Sequence, residues 1–298
     1  MKTKVIWRLL KKTFQEWSND NGHQLAAAIA FYTIFSIPPL LIISLSIAGY
    51  FFDTATTQNQ LIAQVSGIMG SGTGDFVQSL LQDPAQPTER PIYSIISIVV
   101  LLIGASGVFY QIQIALNKIW NVPLKTEHRF RHILINRFQS FLMVLGVGFL
   151  LLLFLGISAV LSLLFNRSDN SAPIMFLPEL INILVLFCLV TMLIAMIFRL
   201  LPDKRIAWSD VWLGAAVTSL FFMLGRYAIG FFLSISKPSS AFGAAGSLII
   251  LLLWVYYSAQ IFLLGAEFTH LYSVKFGSQR KQDARKSIET KETLARSK

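Results

Sequence analysis

Apolar residues in this chain come in long runs. Six stretches, near 24–52, 91–110, 138–165, 179–201, 211–235 and 246–272, are apolar and long enough to cross a bilayer, which takes about 20 residues in a helix. Hydrocarbon offers backbone groups no partners, so each run is predicted to be helical. The first and third exceed the required length and are expected to tilt, kink or protrude. Between the runs the pattern becomes amphipathic. In residues 5–17, Ile6, Leu9, Leu10, Phe14 and Trp17 recur at helical spacing, with Lys4, Arg8, Lys11 and Lys12 on the other side. This predicts a helix on the cytoplasmic leaflet, its cations near anionic headgroups. A similar stretch runs from Ile112 to Trp120, and residues 58–69 and 75–82 predict two short external helices joined by "GSGTG". The alternative for these stretches is packing against the bundle. From Phe276 onward the chain is polar, charged and almost free of aromatics, and is expected to be disordered. The predicted fold class is therefore all-α. It is a polytopic membrane helix bundle, with an N-terminal amphipathic helix over 1–23, a six-helix membrane domain over 24–275 and a basic tail over 276–298.

Composition agrees. Of 298 residues, 54% are hydrophobic and 13% charged, and the mean hydropathy is +0.62. Such a chain belongs with membrane proteins. The net charge of +10 then bears on topology, not on nucleic acid, and no nucleic-acid partner is expected. With the N-terminus in the cytoplasm, twenty-one Lys and Arg fall on cytoplasmic pieces and three (Arg90, Arg167 and Lys237) on external ones. This asymmetry predicts that both termini are cytoplasmic. The single cysteine, Cys188, excludes an intrachain disulfide. The first apolar run is too long for a signal-peptide core, so an uncleaved anchor is expected.

Catalytic chemistry has little to stand on. His128 and His132 are four apart in "EHRFRH", but no glutamate sits where a zinc-protease motif needs it and no third ligand is evident. They read as part of a basic loop. There is no phosphate-binding P-loop, no G-x-S-x-G and no carboxylate pair within the runs. The sequence predicts no enzyme, no metal and no cofactor.

Three features inside the runs carry the functional reading. Pro38 and Pro39 interrupt the first run in "FYTIFSIPPLLIISL". They leave the carbonyls of Ile34 and Phe35 without helical donors and disfavour helical geometry at Ile37. Two half-helices near 24–36 and 39–52 are expected, with Tyr32, Thr33 and Ser36 as nearby polar groups. The alternative is a kink satisfied by neighbouring side chains. Arg226, in "FFMLGRYAIGFF", is the second feature. At about 1.5 Å per residue it lies about 22 Å from Val211, and Pro38 about 21 Å from Gln24. The outer half-helix would point its positive end at the same level. Arg226, Tyr32, Ser36, Pro38 and Pro39 thus form a candidate anion- or lipid-binding site. A structural pair with Glu179 or Asn182, or snorkelling, is the alternative for Arg226. Glu267, in "LLGAEFTH", is the third. It is a candidate cytoplasmic-side polar site, read as snorkelling or a local contact in preference to a proton relay.

The stretches "DNGHQLAAAIAFYTIFSIPPLL", "GVFYQIQIALNKIWNV", "LPDKRIAWSDVWLGAAVTSLFF" and "FGAAGSLIILLLWVYYSAQIFLLGAEF" resemble the YihY/BrkB family of bacterial inner-membrane proteins. The resemblance covers most of residues 20–270. Phe242 departs from it, since tyrosine is expected before that glycine. The resemblance implies a six-helix integral membrane protein. The family has carried ribonuclease and virulence-factor labels, and the residues give the first no support. Family-level suggestions of lipid or amphiphile transport fit the proline pair and the amphipathic helices. The function expected is a transporter or flippase-like protein for a lipid or other anionic amphiphile, with membrane lipids as partners. The alternative is a non-catalytic envelope scaffold with protein partners. The oligomeric state is left open.

Overall fold

A computed structural model describes residues 2–51, 58–59, 62–63, 66, 74, 77–78, 107–122, 177–204, 206–236 and 246–278. Among them every regular element is helical. α1 is Lys2–Asn19 and α2 Gly22–Phe51. α3 covers 107–119. α4 is Leu177–Leu200, α5 Trp208–Ser236 and α6 Gly246–Lys275. Among the described residues, three stretches are apolar and long enough to cross a membrane: Ile183–Leu200, Trp208–Phe231 and Leu248–Lys275. They correspond to the runs predicted at 179–201, 211–235 and 246–272. The runs predicted at 91–110 and 138–165 lie outside the described residues, except that 107–110 opens α3. Most of 58–69 and 75–82, and the tail beyond Ser278, also lie outside them.

The predicted break in the first run is not seen. α2 is helical from Gly22 to Phe51, straight through Pro38 and Pro39. Proline's fixed φ is itself helical; the pair removes two hydrogen bonds and crowds the carbonyls four residues back, yet the helix continues through it. Earlier in the helix, Thr33 Oγ1 donates to the Ile29 carbonyl at 2.7 Å and Ser36 Oγ to the Tyr32 carbonyl at 2.9 Å. Each hydroxyl is bonded four residues back within its own helix.

Asparagine ends two helices. Asn21 follows α1 with φ 57° and Asn121 follows α3 with φ 51°, the left-handed geometry that asparagine tolerates better than most side chains. After α3, Val122 N–H donates to the Asn117 carbonyl at 2.9 Å and Asn121 N–H to the Lys118 carbonyl at 3.0 Å. This pair of bonds satisfies the last carbonyls and stops the helix.

The chain divides into two compact units. Unit 1 holds 1–20, 115–221 and 263–298. Its core includes Leu9, Phe268 and Leu271, with Leu10 and Val217 packed on them. α1 buries Leu9 and Thr13 and leaves Trp7 and Phe14 71% and 60% exposed. The amphipathic helix predicted over 5–17 is present. Phe14, expected on the apolar side with Leu9, is instead exposed, its ring tilted at 32° to that of Trp17 with centroids 5.5 Å apart. The hydroxyl of Thr13 can be buried because it bonds the Leu9 carbonyl at 3.0 Å.

α5 and α6 meet in unit 1 through an antiparallel ladder with three rungs. Asp210 accepts from Ser273 Oγ at 2.8 Å. A methyl group placed on Gly214 would lie 2.6 Å from Thr269 Cβ, and one on Gly265 would lie 2.6 Å from Thr218 Cγ2. Each glycine thus seats the other helix's threonine. Thr218 and Thr269 bond the carbonyls of Gly214 and Gly265 in their own helices at 2.7 and 2.6 Å, so neither hydroxyl is stranded. Positions 210, 214 and 218, like 265, 269 and 273, are four apart and share a helix face.

Unit 2 holds 21–114 and 222–262. Ala30, Leu251 and Val255 form its buried centre, with Ile37, Trp254 and Tyr256 against them. The ring of Tyr32 lies against Gly107, where a Cβ would come within 2.5 Å of Cδ1.

Candidate functional site

The side chain that departs most from expectation is Glu267. On α6 it lies two positions from both Gly265 and Thr269, so the helical advance of about 100° per residue turns it away from the α5 ladder. It is not a snorkelling residue, being only 1% exposed. Its charged neighbours are Asp20 and Glu16 at the end of α1 and Lys118 on α3. Its Oε1 is buried with no hydrogen-bond partner among the described residues.

The surrounding elements are tied down by polar contacts. Lys118 Nζ donates to the Asp20 carbonyl, fixing α3 to the end of α1. Asn117 Nδ2 donates to Asp203 Oδ2 at 2.7 Å, and Asp203 N–H returns a bond to Asn117 Oδ1 at 2.9 Å. Lys204 Nζ reaches the Trp120 carbonyl at 3.5 Å. Arg199 donates to the Ile206 carbonyl and lies 5.8 Å over the Trp208 ring. One turn beyond Glu267 is His270, whose ring meets Trp120 edge-on at 5.1 Å. Among the described residues, His270 Nδ1 and Trp120 Nε1 are buried without hydrogen-bond partners, and Lys204, Glu16 and Lys12 are the charged groups around the imidazole. Among the described residues, no group of three or more His, Cys, Asp or Glu is placed to hold a metal ion.

The other predicted site residues belong to unit 2. Tyr32 and Ser36 share a face of α2. Ser36 is buried and its hydroxyl is taken by the Tyr32 carbonyl. Tyr32 is 41% exposed. Arg226 lies on α5, and Pro38 and Pro39 on α2, while the side chains of all three lie outside the described residues. Because α2 is continuous, there is no outer half-helix start to add a positive end near Arg226. Sequence reasoning passed over Asp20, Lys118, Trp120 and His270. One signal was available: His270 follows Glu267 by three residues, which puts the two on one helix face.

The comparisons with known proteins extend over nearly the whole chain. The family described as Virulence factor BrkB matches residues 13–289. A UPF0761 membrane protein of Actinobacillus pleuropneumoniae serotype 5b (strain L20) is 27% identical over 271 residues, covering 89% of this chain and 93% of its own. Another, from Haemophilus influenzae (strain 86-028NP), is 23% identical over 261 residues, with coverages of 85% and 91%. A third, from Pseudoalteromonas atlantica (strain T6c / ATCC BAA-1087), is 24% identical over 298 residues, with coverages of 95% and 96%. No solved structure matches. With the apolar spans, the helical architecture and a match running from residue 13 to residue 289, the chain is an integral membrane protein and belongs to the BrkB family.

Proposed function

We propose that this chain is a transporter, flippase-like in action, for a lipid or other anionic amphiphile in the bacterial inner membrane. One observation carries the reading: Arg226 is placed within α5, on the apolar stretch Trp208–Phe231. A central guanidinium costs about 2.5–3.5 kcal/mol to insert, and ionisable residues at such depth mark substrate pathways. An anionic headgroup would compensate that charge, and a planar guanidinium suits phosphate. Pro38 and Pro39 support the reading from α2, since they leave the Ile34 and Phe35 carbonyls without donors from residues 38 and 39. The six-span topology with both termini cytoplasmic belongs to the same proposal, as does the absence of an enzymatic reaction. The Lys and Arg distribution supports that orientation.

The test uses the full chain in proteoliposomes containing a fluorescent anionic phospholipid. Native mass spectrometry of bound lipid runs alongside. Lipid retention and movement should fall from wild type to Arg226→Lys to Arg226→Gln, with thermal stability preserved. Equal retention in all three proteins would end the proposal. Arg226→Gln that unfolds, and is rescued by neutralising an acidic partner, would assign Arg226 to structure.

A further inference from the structure

We propose that α1 is a lipid-contact helix: it lodges Trp7 and Phe14 in the headgroup layer of the adjacent leaflet, and Lys11 beside them selects anionic lipid. At about 100° per residue, Phe14 and Trp7 stand about 140° and 160° round α1 from Leu9, and Leu10 about 100°. Leu9 is buried on Phe268 and Leu271, and Leu10 is partly buried against the same cluster. The apolar arc of α1 is thus wider than the protein covers. One edge is packed, and the other carries two aromatic rings 71% and 60% exposed. Lys11, also exposed, lies four residues after Trp7 and three before Phe14, which puts it against both on the helix surface. Exposed aromatic rings bordered by cations are the face an interfacial helix lays into a leaflet.

Packing holds this face at the right level. Leu9 meets α6 at Phe268 and Leu271, in the last turns of the apolar stretch Leu248–Lys275. Leu271 is only about 6 Å of helix from Lys275, so α1 is held where that stretch ends. The same end of unit 1 carries the residues that a membrane–water boundary favours. Asp210 bonds Ser273, which sets the start of α5 beside the end of α6, and Trp208 and Trp212 there are both 46% exposed. Arg199 lies over the Trp208 ring at 5.8 Å, and Lys275 over the exposed Phe276 ring at 5.5 Å. Trp7 and Phe14 add to this belt from α1. Charge then selects the occupant. α1 carries five Lys and Arg and one acid, Glu16. Glu16 pairs with Lys12 at 3.9 Å, whereas Lys11 stands about 140° round the helix from it. The same helix of a second copy would set cation against cation. An anionic headgroup layer meets both the rings and the charge. This contact is separate from the transport reading, and no lipid movement enters its test.

The experiment reconstitutes the full chain in phosphatidylcholine vesicles with and without phosphatidylglycerol, the acyl chains brominated near the headgroup or left plain. Bromine quenches tryptophan on contact, and the difference between wild type and Trp7→Phe isolates the Trp7 signal. With phosphatidylglycerol present, bromine should quench that signal. Lys11→Gln should lower the ratio of quenched to unquenched Trp7 about fivefold, the effect of one cation near an anionic surface, while Lys11→Arg should behave as wild type. Leaving out phosphatidylglycerol should lower the ratio further. Helical content measured on each variant identifies any that misfold, and the lipid comparison on the unmutated Lys11 keeps the test valid if the Gln variant does. A Trp7 signal indifferent to bromine in both lipids would overturn the insertion. Quenching that ignores both phosphatidylglycerol and Lys11→Gln would overturn the anionic selection. Phe14→Cys in a Cys188→Ser background that cross-links to a second copy, with Trp7 unquenched, would assign this face to a dimer and overturn the proposal.

Discussion

Replacing Gly265 with alanine puts a methyl group 2.6 Å from Thr218 Cγ2 and 2.7 Å from Thr218 Cβ. Thr218 is fully buried, β-branched, and held by its bond to the Gly214 carbonyl. It is not the loose end of a long side chain. Overpacking of this kind costs about 1–3 kcal/mol. If Thr218 rotates away, its hydrogen bond is lost as well, at about 0.5–1.5 kcal/mol. Removing a glycine from a helix interior returns about 0.8–1 kcal/mol. The balance is a destabilisation of about 1–3 kcal/mol. Gly230, also on α5, is a contrast. A Cβ added there would meet no atom of the described residues within 4 Å, so Gly230→Ala should be neutral or stabilising. The decisive measurement is a double-mutant cycle with Thr218→Gly, followed by equilibrium unfolding in mixed micelles. Moving the side chain from one helix to the other should recover at least about 1 kcal/mol relative to additivity. Additive effects, or a Gly265→Ala protein more stable than wild type, would refute the reciprocal seating.

Two further outcomes follow from the contacts around the ladder. Asp210 accepts from Ser273 Oγ at 2.8 Å and from Ser278 N–H and Oγ at 2.9 and 2.7 Å, so Asp210→Ala should cost about 1–3 kcal/mol and speed limited proteolysis near Ser278; an unchanged cleavage rate would count against this anchor. Asn121 has φ 51°, so Asn121→Gly should be tolerated while Asn121→Val should lose about 1–2 kcal/mol, read by thermal unfolding.

Much of the scaffold was legible because a span is written in composition alone. Runs at 179–201, 211–235 and 246–272 became α4, α5 and α6 with little displacement. Where the outcome depended on partners, the pattern said less. The helical period found α1 but could not say that Leu9 would meet Phe268 and Leu271, nor that Thr13 would be buried and Phe14 exposed. The proline pair was read as a break, yet a helix survives the loss of two donors when its φ angles stay helical. Glu267 was read by depth, as a residue near a helix end. Its burial comes from α1 and α3, which lie far from it in sequence. Arg226, Tyr32, Ser36, Pro38 and Pro39 were grouped by depth, and depth does not say which way a side chain points. In "LLGAEFTH" the acid drew attention, while Gly265, which seats Thr218 of α5, did not.

The three rungs between α5 and α6 also constrain how this protein can move. Suppose α6 slid along α5 by one turn, about 5.4 Å. Gly214 would then face Gly265, Asp210 would face Thr269 in place of Ser273, and Thr218 would lose the glycine that seats it. Bumps and hollows would no longer mesh, and a buried carboxylate would lose a donor. Sliding is therefore blocked in steps, as a key's cuts block a wrong lock, and small shear of these two helices has no neighbouring minimum to reach. In the described part of unit 1, the two helices travel as one piece. Conformational change has to turn that piece bodily or bend the chain beyond it, as hinge motions do. A cross-link between positions 214 and 269 should accordingly leave such a motion intact.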